Sequence, residues 1–179
     1  REISCMAGNL IINNSEKSQS ILSSPTPNST QLTLCSQFFG PLENCREIVW
    51  GQLIDFGTWQ SWSSKIDAVE RKDTGNIGRG SVFSVTSGSI VCDWQIVHWH
   101  PGMRVDFVIP SNGMRIGYSF LFSDPSDGER VELQLNAEFE FLGIHQLFSG
   151  FLRYRETKIV KQLFDELISH IETVIPLNS

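Results

Sequence analysis

The residues best suited to acid-base chemistry lie in the segment VCDWQIVHWH, residues 91–100. If this segment is a strand, its side chains alternate between two faces, so His98 and Asp93 point in opposite directions. Both faces mix polar and apolar residues, and alternation therefore does not decide which of them is inside. An inward His98 could act as an acid or a base, whereas an inward Asp93 could act as a general base. A β-bulge could bring both inward, and a solvated His98 at a strand end is the remaining alternative.

A third candidate is Tyr118 in the segment MRIGYSFLF. It alternates in phase with Ile116 and Phe120, which predicts that its side chain points into the protein. A buried phenol needs a hydrogen-bond partner, so Tyr118 could orient a carbonyl group or donate a proton. The alternative is a core tyrosine that bonds to the backbone or to water.

Other kinds of catalytic or cofactor site find little support in the sequence. His98 and His100 have a spacing that can chelate a metal, but no third ligand is evident nearby, so we expect no metal site. The chain has no GxSxG elbow, no P-loop and no GxGxxG that opens a helix after a strand. We therefore expect no nucleotide and no other cofactor.

The elements that must position these residues follow from periodicity. QLTLCSQFF, residues 31–39, predicts a strand, and residues 42–53 predict a helix, followed by a short second helix that Asp55 could cap. Residues 64–141 alternate with a period of two between turn signals, which indicates about six antiparallel strands. The clearest is RVELQLNAEFEF, whose acidic and amide side chains predict one solvent-facing side.

The C-terminal part is predicted to be one long helix over residues 146–173. It has an apolar stripe that begins at Leu147 and Phe148, and a charged outer face to which we assign Glu156. A sheet with one apolar face must be covered, and this helix is the natural cover. Because one helix cannot fill a bent sheet evenly, we expect an internal cavity.

Composition limits the class of protein and its partners. The chain has 179 residues and a net charge of −6, with no run of Lys and Arg, which excludes a nucleic-acid surface and disfavours an anionic membrane. No apolar run approaches the roughly 18 residues of a membrane span. We predict one domain at residues 30–175, preceded by a Ser-, Asn- and Pro-rich arm at 1–29 and followed by a tail at 176–179. Without CxxC pairs or a secretory signal, a cytoplasmic protein with reduced thiols is expected, as a monomer or homodimer.

Several short motifs resemble one protein superfamily. VWGQLIDFGTWQSW, residues 49–62, is similar to the pattern V-W-x-x-L-x-D-[FY]-x-x-[WY]-x-x-W of the START/Bet v 1-like (SRPBCC) superfamily, in its polyketide cyclase/dehydrase and lipid-transport group. The segments IGRGSVFSV, VHWHPGMRVDF and DPSDGERVEL resemble further family motifs, in the family's order. His100 departs from the pattern, because the family often has Asp there.

The resemblance implies an α+β helix-grip fold, in which a curved antiparallel sheet of about seven strands wraps a long C-terminal helix. It also implies a cavity for a hydrophobic small molecule. Together with strand alternation it predicts a ligand-binding wall made of Trp59, Trp62, Phe83, Trp94, Phe107, Phe120, Phe148 and Phe151, with Tyr154 at the rim. Tyr118 would also face this cavity.

Two functions are compatible with such a cavity. The first is a cofactor-free cyclase, dehydratase or isomerase of a polyketide- or terpenoid-like metabolite, with His98, Asp93 and Tyr118 as catalytic residues. The second is a carrier that holds a hydrophobic ligand or lipid without changing it. A partner-binding module related to chaperone activators is a weaker third alternative, because this fold does not determine function.

Overall fold

The computed structural model of the chain describes residues 29–39, 42–111, 113–123 and 130–175. The arm predicted at residues 1–29 lies outside the described residues, except for Ser29, which begins the first strand. The tail predicted at 176–179 also lies outside them.

The described chain forms seven strands, three α-helices and two 3₁₀ segments. In chain order these are β1 (Ser29–Phe39), α1 (Leu42–Ile54), a 3₁₀ turn (Phe56–Thr58), α2 (Trp59–Trp62), β2 (Ala68–Arg71), β3 (Val82–Ser87), β4 (Ile90–His100), β5 (Arg104–Ser111), β6 (Met114–Ser123), β7 (Arg130–Phe141), a second 3₁₀ segment (Gly143–Phe148) and α3 (Ser149–Val174).

The strands build one antiparallel sheet with the order β1-β7-β6-β5-β4-β3-β2. Consecutive strands are neighbours from β2 to β7. The first strand, β1, pairs with β7 and forms one edge of the sheet, and β2 forms the other edge. With α3 on its apolar face, this is the predicted helix-grip fold. We define the open end of the sheet as the end that carries the β3–β4 and β5–β6 hairpins and the 3₁₀ segment before α3.

Alternation along β7 explains which side of the sheet is the core. Val131 to Phe141 contribute every second side chain to the buried face, as the sequence predicts. The opposite face departs from the prediction, because Glu138 and Glu140 are only 1% and 5% exposed. Arg115 on the neighbouring β6 pairs with Glu140 at 3.3 Å, so part of this outer face carries ion pairs rather than free solvated carboxylates.

Helices cover the apolar face of the sheet. In α1, Val49 and Leu53 are fully buried. In α3 the buried positions recur every three or four residues, which places them on one side of the helix. These positions are Glu156, Val160, Leu163, Phe164, Leu167 and Ile171.

The short helix α2 anchors an aromatic cluster. Trp59 is 2% exposed, and its indole Nε1–H donates to the carbonyl oxygen of Leu53 at 3.0 Å, at the end of α1. Its ring packs against Trp94 at 5.6 Å and against Phe107 at 6.2 Å between ring centroids. The side-chain cap predicted at Asp55 is not formed, because the Asp55 carboxylate makes no capping hydrogen bond. Instead, the Thr58 hydroxyl donates to the Asp55 carbonyl oxygen.

Trp59 and Trp62 offer a matched test of this arrangement. Trp62 Nε1 is also buried but has no hydrogen-bond partner among the described residues. Substitution by Phe removes the same atoms from both side chains, but only Trp59→Phe leaves a buried carbonyl without its donor. We expect Trp59→Phe to lower the free energy of unfolding by about 1–3 kcal/mol more than Trp62→Phe does, as measured by urea denaturation. Equal losses would contradict a structural role for the Trp59–Leu53 bond.

Candidate functional site

A β-bulge in β4 decides where His98 points. Ile96 pairs with Phe107 and His98 pairs with Asp106, so Val97 is an extra residue in the strand. The alternation therefore shifts after Ile96, and His98 lies exposed on the outer face of the sheet. The bulge thus moves this candidate away from the interior rather than bringing it inward.

Asp93 also lies outside the core. It pairs across the sheet with Ser84, and its carboxylate forms an ion pair of 2.6 Å with Lys72. The Asp93 side chain is 45% exposed, so it is a surface residue. Neither proposed base on β4 therefore faces the interior.

Tyr118 points inward, as its phase in β6 predicts. It is 4% exposed, and its ring lies 5.3 Å from that of Trp94 between centroids. Burial raises the pKa of the Tyr118 phenol well above its usual value, and the negative charge of Glu156 raises it further. The phenol therefore stays protonated and can donate a hydrogen bond to a group beside it.

Glu156 was predicted on the charged outer face of α3, and this prediction is wrong. It lies on the buried side of the helix, four residues before Val160, and is 5% exposed. Arg155 holds its carboxylate at the edge of the core, with Nε donating to Oε1 at 2.9 Å. Positions 152, 156 and 160 are each four residues apart, and this spacing in the sequence indicated that Glu156 shares the buried side of the helix with Leu152 and Val160. The indication was overlooked because a charged residue is ordinarily assigned to the outer face.

Cys92 completes a small polar cluster in the apolar interior. Its half-buried side chain packs against the core. Burial raises the pKa of the Cys92 thiol, and the charges of Asp93 and then Glu156 add to this effect. Cys92 shares its face of β4 with Trp94, whose ring packs against that of Tyr118 on β6. Glu156 lies on the buried side of α3, which covers this face of the sheet. We call Cys92, Tyr118 and Glu156 the polar cluster.

Most of the predicted aromatic wall is packed core. The buried members are Trp59, Phe83, Trp94, Phe107 and Phe120. Trp59, Trp62 and Phe120 line a cavity of about 10 Å³ below α3. This volume holds about one water molecule, so this part of the interior is too tightly packed for a metabolite. Trp62 also touches a shallow groove of about 570 Å³ on the outer side of α3.

Phe148 and Phe151 are not in the wall, and Tyr154, which was predicted at the rim, is exposed on the same side. All three are at least 61% exposed. Phe148 lies in a 3₁₀ segment with a different twist, because α3 begins only at Ser149. Phe151 lies within α3, five residues before Glu156. Five residues correspond to a rotation of about 140° beyond one full turn, away from the buried side. These side chains instead form an apolar rim next to the open end of the sheet.

A contact between Gly113 and His145 seats the 3₁₀ segment on the open end of the sheet. Gly113 has a φ of +75°, and a Cβ there would overlap the His145 imidazole ring. The Leu142 amide donates to the Gly113 carbonyl at 2.8 Å. The entry into α3 is therefore held against the β5–β6 hairpin.

The described part of the chain offers neither a metal cluster nor a membrane-spanning helix. Within those residues, no group of three or more His, Cys, Asp or Glu side chains is placed to hold a metal ion. No described helix has the length and apolarity that crossing a membrane requires.

The fold and interior define a class of protein, the helix-grip proteins. The model of the family described as "Polyketide cyclase / dehydrase and lipid transport" matches residues 46–175, and the chain belongs to this family. No curated protein matches the sequence significantly.

Solved structures share the fold at low sequence identity. The Zhui aromatase/cyclase from Streptomyces sp. R1128 superposes with a TM-score of 0.64 and 12% identity, covering 83% of this chain and 97% of that one. A START superfamily protein from Mycobacterium smegmatis gives a TM-score of 0.62 and 12% identity, covering 80% and 98%. A hypothetical protein from Helicobacter pylori gives 0.63 and 10%, covering 89% and 97%. At these identities the likeness concerns the fold alone.

The burial of Tyr118 predicts a pH effect. The chain has two tyrosines, so Tyr154→Phe leaves Tyr118 as the only phenol. We expect its phenolate absorbance to appear in the folded variant only above the ordinary range near pH 10, and near pH 10 in denaturant. Because the unfolded chain loses this proton first, the free energy of unfolding should fall as the pH rises past about 10. Titration near pH 10 in the folded variant would contradict the buried position.

The Gly113–His145 contact predicts a difference between two glycine substitutions. Gly113 and Gly88 both have positive φ, but a Cβ at Gly88 meets nothing within 4 Å. Gly113→Ala should therefore destabilise the protein more than Gly88→Ala, because both changes strain the backbone and only the first displaces His145. In a His145→Ala background the difference should shrink. Thermal unfolding measures all four variants, and an unchanged difference would contradict the contact.

Proposed function

We propose that the protein binds a hydrophobic small molecule between the sheet and the first turns of α3, and that it acts as a carrier for it. The observation that carries this proposal is Glu156. A charged group on the buried side of a helix is costly, and such groups are retained mainly where they have a partner or a function. Family membership supports the hydrophobic-ligand part of the proposal.

The polar cluster indicates the chemistry of the ligand. The Tyr118 phenol can donate to a carbonyl or ether oxygen, and the Glu156 carboxylate can accept from a hydroxyl group. The surrounding surface is apolar, with Trp94 against the Tyr118 ring. The site therefore suits a neutral, mostly apolar molecule with carbonyl and hydroxyl groups, and it disfavours a carboxylate, which Glu156 would repel.

The place of the site follows from the packing of α3. Around Phe164 and Leu167 the helix closes on the sheet with room for about one water. Toward the open end, Glu156 replaces an apolar side chain on the buried side of α3, and the exposed rim of Phe148 and Phe151 lies beside it. Because Tyr118 is nearly inaccessible, entry requires the first turns of α3 and the preceding 3₁₀ segment to move away from the sheet.

Carriage is favoured over catalysis because two of the three predicted catalytic residues lie on the outer face. His98 and Asp93 cannot reach a ligand inside the grip without refolding β4. Only Tyr118 of the original three is inside.

An enzymatic function remains the second candidate, and the pairing of Tyr118 with Glu156 favours it. Glu156 could remove a proton from a carbon next to a ketone, while the Tyr118 phenol hydrogen-bonds the developing enolate oxygen. Such chemistry is typical of cyclisation and dehydration. It would use this chain's own residues and no cofactor.

A binding titration tests the carrier proposal. Tryptophan fluorescence is followed while a hydroxyanthraquinone, a neutral polyketide-like probe, or a long-chain fatty acid is added. We expect the hydroxyanthraquinone to bind more tightly, and Tyr118→Phe to weaken its binding about fivefold, which corresponds to one lost hydrogen bond of about 1 kcal/mol. Tyr154→Phe makes the same change at an exposed tyrosine and should have no effect. Equal effects of the two variants would refute the site.

A second incubation separates the two functions. Its probe is a β-polyketone, which has C–H groups next to its ketones, whereas the anthraquinone has none. A carrier returns this probe unchanged, relative to a protein-free control, when the products are analysed by mass spectrometry. If product forms, Glu156→Gln should abolish turnover, whereas His98→Ala and Asp93→Asn should leave it unchanged. Turnover that depends on His98 or Asp93 would overturn the placement of the reaction inside the grip.

A further inference from the structure

The outer side of the entry into α3 carries a patch of exposed apolar side chains. It spans the 3₁₀ segment and the first two turns of the helix, and its members are 61–80% exposed. They are Ile144, Leu147, Phe148, Phe151 and Tyr154, which we call the apolar patch. Isolated exposed apolar residues are ordinary, but a contiguous group of large ones marks an interaction surface. The polar cluster does not use these side chains, because they point away from it.

Basic residues adjoin the patch along the same helix. Lys158 lies four residues after Tyr154, and Lys161 lies three residues further, so both continue the line of the patch along α3. Arg153 is exposed beside it. In residues 143–161 the acidic member is Glu156, which is buried and paired with Arg155. The positive stretch ends at Lys161, because Asp165 and Glu166 line the same groove as Lys158 and Lys161. The whole chain carries a net charge of −6, so residues 143–161 form a positive stretch on an acidic protein.

We propose that the apolar patch docks on an anionic lipid bilayer. Exposed Phe, Leu and Ile side chains can enter the boundary between headgroups and acyl chains, and Tyr154 suits the same depth. Lys158 lies about 10 Å along the helix from Phe151, at the rise of 1.5 Å per residue. Its long side chain can reach anionic headgroups while the apolar side chains insert. The combination of insertion and cationic contacts gives reversible attachment.

The sequence disfavours an anionic membrane because Lys and Arg form no run, and the fold supplies the reason to revise that expectation. Helical spacing brings Lys158 and Lys161 onto one line although they are separated in the chain. A second copy of the protein is the competing occupant of the patch. In a twofold dimer through this surface, the basic groups of both copies would be brought close together, which opposes self-association.

Docking at this place would put the membrane next to the opening through which the proposed ligand enters. The docking proposal stands on the patch and its charges and does not require that ligand. Tyr118→Phe should leave vesicle binding unchanged, so the ligand test and the membrane test can fail separately.

Cosedimentation with vesicles tests the proposal with the full chain. We expect the protein to bind phosphatidylcholine vesicles that contain phosphatidylglycerol more tightly than vesicles of phosphatidylcholine alone. High salt should remove this difference in affinity between the two kinds of vesicle. Phe148→Asp should weaken binding at least about tenfold, the factor that corresponds to 1.4 kcal/mol. Phe39→Asp is the matched control, because Phe39 is similarly exposed at 65% but lies at the opposite end of the sheet.

A charge pair of variants tests the headgroup contact. Lys158→Glu should weaken binding to the anionic vesicles about 25-fold, since it removes one positive charge worth about 1 kcal/mol and adds an opposing one. Arg79→Glu makes the same change at an exposed loop residue far from the patch and should have little effect.

Three results would overturn the proposal. These are the absence of vesicle binding, equal losses in Phe148→Asp and Phe39→Asp, and a dimer in light scattering that Phe148→Asp dissociates. The last result would assign the patch to a contact between copies of the chain.

Discussion

One helix has to cover the apolar face of a seven-stranded sheet, and the rest of the structure follows from how it does so. The buried positions of α3 from Val160 to Ile171 are apolar, and there α1 and α2 help to close the core. The cavity in that half holds about one water. At the start of α3 the pattern reverses: the buried side carries Glu156 and the outer side carries Phe151. The same helix therefore packs on one half of the core with apolar side chains and places a carboxylate on its buried side in the other half.

This reversal explains why the polar cluster inside the grip and the apolar patch outside it lie on opposite sides of the same turns of α3. A carboxylate inside and aromatic side chains outside both oppose the tight packing of the first turns of α3 onto the sheet. The contact of His145 with Gly113 and the pairing of Arg155 with Glu156 oppose opening. The entry into α3 thus combines few buried apolar side chains with a few specific contacts, which suits the movement that the proposed ligand entry requires.

Much of the fold could be predicted from the sequence. The alternation in β7 located that strand and its buried face, and the phase of β6 placed Tyr118 inside. The site could not be predicted as well. The outward position of His98 could not be predicted because a bulge adds one residue to the strand without any change in the sequence pattern. The inward position of Glu156 could not be predicted because a charged residue on an amphipathic helix ordinarily lies on the outer face. Phe148 was misplaced because it lies in the 3₁₀ segment before α3 begins. Phe151 was misplaced because it was added to an apolar stripe from which the 3.6-residue period of α3 separates it.

Ligand protection of Cys92 is the most direct test that the ligand lies inside the grip. Cys92 belongs to the polar cluster, whereas Cys35, also half-buried, lies on β1 away from it and is the internal control. Alkylation of each thiol by a maleimide is followed by peptide mass spectrometry with and without the hydroxyanthraquinone. The proposed site predicts that bound ligand slows the reaction of Cys92 and leaves that of Cys35 unchanged. Bound ligand that leaves Cys92 as reactive as before, or that protects both thiols equally, would contradict it.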